Sequence, residues 1–116
     1  MTEWKASETQ EQITVAQYMT LKGILFIHVP NEGKRSPMVA RILKAMGLKP
    51  GFPDLLILEP KGEYHGLAIE MKVGKNKPSE NQRKWIYDLM KKGYCALVCY
   101  GADDAIKTIN TYMSLK

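Results

Sequence analysis

Three residues in this sequence are of a type and spacing that could do chemistry: Asp54, Glu70 and Lys72. Asp54 follows Pro53 and opens the apolar run Leu55-Leu56-Ile57-Leu58, while Glu70 and Lys72 interrupt the run Leu67-Ala68-Ile69-Glu70-Met71-Lys72-Val73. Two residues apart on a strand, Glu70 and Lys72 leave the same face. If 54–58 and 64–73 are strands joined by the turn Pro60-Lys61-Gly62-Glu63, the start of one meets the end of the other, and Asp54 lies beside Glu70 and Lys72. Two ionised carboxylates brought together against an apolar sheet repel and are costly to bury unless a cation joins them. A hard divalent ion such as Mg²⁺ answers that need, because it prefers carboxylate and phosphate oxygens. With Lys72 to place a water or neutralise charge on phosphate, the parts add up to metal-assisted hydrolysis of a phosphodiester.

The elements that must position these residues follow from punctuation and periodicity. Ser7-Glu8-Thr9-Gln10 reads as a capping box, and Ile13, Ala16, Tyr18 and Leu21 continue at roughly helical spacing until Gly23. Residues 24–29 read as a strand and 30–35 as a loop. Ser36-Pro37 starts a second helix carrying Val39, Ile42, Leu43 and Met46, which Gly47 stops. After the two strands, Gly74 to Pro78 forms a basic loop. Ser79 caps a third helix with the expected buried stripe Trp85, Ile86, Leu89 and Met90. A strand through Cys95 and a helix with Ala105, Ile106, Ile109, Tyr112 and Met113 close the chain. The order αβαββαβα is an α/β layout, a mixed central sheet flanked by helices.

Bulk properties bound the rest. The 116 residues have room for one compact domain spanning 1–116, and a hydrophobic fraction of 45% argues against long disorder. No apolar run approaches the roughly 20 residues that cross a bilayer, and residues 1–5 do not resemble a secretory leader, so a cytoplasmic location is expected. Cys95 and Cys99, four apart on one strand, are too distant to pair with each other and read as small core residues. The charge of +5, from 17 Lys and Arg against 12 Asp and Glu, suits a polyanion without proving one. Lys34, Arg35, Lys75, Lys77 and Arg83 flank the proposed centre and could grip phosphates. No base-reading helix or stacking pattern is evident, which favours shape over sequence as the thing recognised.

Four segments also carry a resemblance: residues 28–32 (His-Val-Pro-Asn-Glu), 46–54 (Met-Gly-Leu-Lys-Pro-Gly-Phe-Pro-Asp), 69–72 (Ile-Glu-Met-Lys) and 79–85 (Ser-Glu-Asn-Gln-Arg-Lys-Trp). The Pro-Asp…Glu-x-Lys pattern is similar to the motif of the restriction-endonuclease-like superfamily. The four segments in order resemble a stand-alone VRR-Nuc domain, the virus-type replication and repair nuclease. That resemblance implies an αβββαβ core, a Mg²⁺ or Mn²⁺ cofactor and no small-molecule cofactor. It also implies endonuclease action on branched DNA, notably four-way junctions, by a homodimer in a bacterial or phage-infected cell. By motif position Asp54 and Glu70 are metal ligands, Lys72 is the catalytic lysine, and Gln82 is the glutamine on the following helix. An acidic residue of the first helix completes such sites; Glu8 fits best, with Glu11 as its competitor.

Each residue has a plainer reading. Asp54 could end a turn, and Glu70 with Lys72 could be an exposed ion pair worth about 0–1 kcal/mol. Gln82 could simply return to the backbone of Ser79 in a capping box. His28 is expected to be structural, and His65 an exposed hairpin residue. Competing functions are a nickase or restriction-like nuclease on ordinary duplex, and a non-catalytic DNA-binding domain of the same fold.

Overall fold

The computed structural model describes residues 6–30 and 35–116. The order is α1 (Ala6–Leu21), β1 (Phe26–His28), α2 (Pro37–Ala45), β2 (Leu55–Ile57), β3 (Leu67–Lys72), α3 (Glu80–Lys91), β4 (Cys95–Tyr100) and α4 (Gly101–Met113). The strands form one mixed sheet in the order β1-β2-β3-β4: β1 and β3 run antiparallel to β2, and β4 is parallel to β3. The expected αβαββαβα order is the one observed.

Leu55 faces Ile69 and Leu56 faces Ala68, so continuing the register one step sets Asp54 opposite Glu70. Strand alternation splits the sheet into two faces. One face carries Leu55, Ile57, Leu67, Ile69, Met71 and Cys99, which pack with Val15 and Met19 of α1 and Ala105, Ile109 and Tyr112 of α4. The other face carries Leu56, Ala68, Glu70 and Lys72.

Several expectations are corrected. The strands are shorter than the apolar runs. Pairing beyond β1 survives as one bond at each end, Leu58 N to the Leu25 carbonyl and Val29 N to the Asp54 carbonyl (2.8 Å each), and β3 starts after Gly66, whose added Cβ would lie 2.8 Å from the Ile57 carbonyl oxygen. Ser7 lies within α1 rather than ahead of it. The buried face of α1 is Val15 and Met19, whereas Ile13 and Leu21 are exposed. In α3 Trp85, Ile86 and Leu89 are only half-buried and Met90 is exposed. Both N-caps hold: Ser36 Oγ accepts from Val39 N, and Ser79 and Gln82 form a reciprocal capping box. Cys95 and Cys99 are free thiols. His65 is exposed, resting edge-on against Tyr94. Among the described residues, no helix is long and apolar enough to cross a membrane.

Candidate active site

A cleft of about 350 Å³ opens at the end of β3, between the first turns of α1 and the start of α3. Its floor is Asp54, Glu70 and Lys72, so the sheet brings together the three residues that the sequence singled out. Asp54 is delivered by the turn before β2. Pro53 is fully buried, Phe52 meets the Trp85 ring edge-on at 4.9 Å, and Trp85 Nε1 donates to the Pro50 carbonyl at 3.0 Å. Gly51 holds a φ of +89°, and an added Cβ would meet Asn81 Cβ at 2.8 Å and Gln82 N at 3.0 Å. Glycine is required there on both counts: the left-handed backbone and the close approach to α3. The carboxylate of Asp54 is then anchored across the strands, accepting from Met71 N at 2.8 Å.

Glu70 is the buried charged residue of the core region, 3% exposed, and its Oε1 has no hydrogen-bond partner. Lys72 Nζ stands 3.6 Å from the other oxygen. Burial first, and the Asp54 carboxyl second, push Glu70 up to about 8, with Lys72 pulling the opposite way. One lysine therefore does not compensate two acids in this setting. A buried carboxylate oxygen without a partner is rare and costly. A hard cation with oxygen preference fits this donor set, since Mg²⁺ commonly takes one or two carboxylates and keeps several waters.

The other expected residues fall out differently. Glu8 and Glu11 are separated cleanly. Glu8 lines the cleft, whereas Glu11 Oε1 turns away and accepts from Ala102 N at 2.6 Å, capping α4. Yet among the described residues no three His, Cys, Asp or Glu side chains stand close enough to hold a metal together. Glu8 stands half-buried on the α1 wall of the cleft whose floor carries Asp54 and Glu70. Gln82 lines the cleft, and its Oε1 accepts from Ser79 N at 2.8 Å, so its amide nitrogen is what it can offer a substrate. Arg35, Lys75, Lys77 and Arg83 are exposed, with Arg83 Nη1 donating to the Pro78 carbonyl at 2.8 Å. Lys34 lies outside the described residues.

Gln12 is a cleft residue that the sequence reading missed. The signal was available: it sits four residues after Glu8, on the same helix face. His28 is exposed, and its Nδ1 reaches both Gln12 and the Asp54 carbonyl.

Comparison with known proteins bears on the scaffold that carries this cleft. A solved structure described as a VRR_NUC domain protein superposes with a TM-score of 0.82 at 34% identity, covering 95% of this chain and 90% of the other. A second, described as a VRR_NUC domain, shares the fold at 22% identity and a TM-score of 0.64, covering 91% of this chain and 97% of its own. No curated protein matches the chain. The VRR-NUC domain family model matches residues 6–103, from α1 through the first turn of α4. With its acidic pair and lysine set on that scaffold, the chain belongs to the VRR-NUC domain family, a nuclease-type fold.

Proposed function

We propose that the protein is a Mg²⁺- or Mn²⁺-dependent endonuclease that hydrolyses phosphodiester bonds in branched DNA. The observation that carries the reading is the buried Glu70 Oε1, left without a hydrogen bond beside Asp54. When bound, a divalent ion would supply Lewis acidity toward a phosphate oxygen and lower the pKa of a water. Asp54 and Glu70 would hold it. Lys72, reaching from the same face as Glu70, neutralises charge that builds on the phosphate or orients the attacking water. Asn81 and Gln82 at the start of α3 line the same cleft, where the amide nitrogen of Gln82 can meet a phosphate oxygen. The exposed basic residues Lys75, Lys77 and Arg83 follow Lys72 in sequence and grip neighbouring phosphates.

Resolution of a four-way junction needs two cuts related by a two-fold, so we propose a homodimer. What supports a second copy is α2. None of its residues is buried, and Met38, Ile42 and Met46 form a stripe at helical spacing, from 51% to 77% exposed. A nine-residue helix is marginal in water without something to cover its apolar face.

The test compares cleavage of labelled four-way junction, flap and linear duplex by wild type and Asp54→Ala, with Mn²⁺ and with EDTA. Cleavage of the junction by wild type with Mn²⁺ alone is expected. Preference for linear duplex would replace the junction reading with a nickase or restriction-like activity. Tight junction binding without any cleavage would leave a DNA-binding domain.

A further inference from the structure

Beside the catalytic cleft, α1 and the sheet enclose a groove walled by Thr9, Gln12, Ile13 and Ala16 with His28 and Leu55. Its polar centre is the His28 ring. Nδ1 lies 2.5 Å from the Gln12 amide atom placed as Nε2 and 3.1 Å from the Asp54 carbonyl oxygen. A carbonyl only accepts, so Nδ1 carries the hydrogen that serves it; the network then assigns Gln12 its amide oxygen, not its nitrogen, toward the ring. One imidazole N–H is thus shared between helix α1 and the backbone of Asp54.

This link joins two parts of the site, the first turns of α1 and the strand start at Asp54. The first fully buried residue of α1 among those described is Val15, two turns beyond Glu8. Ahead of it the helix is held by polar ties: Glu11 to α4 on one side and Gln12 to His28 on the other. Glu8 and Gln12, four apart, face the same cleft.

We propose that Gln12 and His28 are positioning residues: sharing the Nδ1 hydrogen, they set the spacing between α1 and Asp54, and so the reach of Glu8 across the cleft toward the Asp54–Glu70 pair. The inference rests on the reading of the cleft as a cation site. Groups that orient a metal site from behind typically change metal affinity about 10- to 100-fold when removed.

Titration calorimetry with MnCl₂ tests it, on wild type and on Gln12→Ala, His28→Ala, His28→Asn, Glu8→Gln and the Glu8→Gln/Gln12→Ala pair. The alanine variants should bind Mn²⁺ about tenfold more weakly, the low end for such partners. His28→Asn, which keeps an N–H donor where Nδ1–H stands, should recover most of that loss. The Glu8→Gln/Gln12→Ala pair should bind no more weakly than the poorer of its single variants, because both act on one contact. Alanine variants with wild-type affinity would overturn the proposal, as would His28→Asn as weak as His28→Ala, which assigns the effect to imidazole packing. Additive losses in the pair would remove Glu8 from the arrangement and overturn it equally. Wild type that takes up no Mn²⁺ would sink the cation reading itself, and the proposal with it.

Discussion

The two faces of the sheet are finished in opposite ways. Against one, α1 and α4 bury Val15, Met19, Ala105, Ile109 and Tyr112 with Leu55, Ile57, Leu67, Ile69 and Met71. On the other, α3 buries no residue fully and the strand positions include an acid and a lysine, while α2 buries none of its residues anywhere. The first face accounts for stability, since densely packed aliphatic side chains are where folding free energy is concentrated. The second is left open because its occupants, on our reading, are an ion, DNA and another copy. Stability and function are thereby assigned to opposite surfaces of one thin sheet, and substitutions should separate them.

The sharpest break lies at the acid pair. Asp54→Ala should lower cleavage on the order of 10³-fold in single-turnover assays while junction binding in gel shifts persists. Retained turnover would remove Asp54 from its role. Across the sheet, Ile109→Ala should do the reverse, costing about 3 kcal/mol in urea unfolding through the cavity it leaves, with the rate constant of the folded fraction unchanged.

A smaller effect depends on pH. Glu70 stands at about 8 in the fold against an ordinary 4.5, so the metal-free fold keeps a proton that the unfolded chain releases. Its contribution to stability is fully present below about pH 4.5 and is lost as pH rises toward 8. Melting curves without metal should therefore fall over that window, and Mn²⁺ should restore more of the melting temperature at pH 8 than at pH 6. Glu70→Gln should flatten the profile, and an unchanged slope in that variant would assign the pH dependence elsewhere. Smallest of all, Ile42→Ser on α2 should change monomer stability by no more than about 0.5 kcal/mol, yet weaken self-association in sedimentation. A wild type that sediments only as monomer, alone and on bound junction, would remove the homodimer from our reading.

How much of this was legible in the residues depends on whether local chemistry or tertiary context decided the outcome. Caps written in a few neighbouring side chains, Ser36-Pro37 and Ser79 with Gln82, were readable because their partners lie within a turn. The meeting of Asp54 with Glu70 was readable because the two apolar runs are consecutive in the chain and strand alternation fixes which face each side chain takes. The inward face of α1 was not. Its apolar letters Ile13 and Leu21 point outward, while Glu11 and Gln12 turn inward to serve α4 and His28. Polar residues recruited to distant partners erase the periodicity by which a helix announces its buried side. The stripe of α3 misled in the other direction, because amphipathic spacing records an apolar face without saying whether this chain covers it.

The bond from Ala102 N to Glu11 also bears on how the chain reaches its final shape. Tyr100, the residue preceding α4, lends that helix no side-chain cap, and its anionic cap comes from a residue 91 positions away. The last helix is therefore capped only once its start has met α1, a contact between residues far apart in sequence and formed at a high loop-closure cost. Cleaving away the opening segment should fray the opposite terminus, which protease protection of the final dozen residues would reveal.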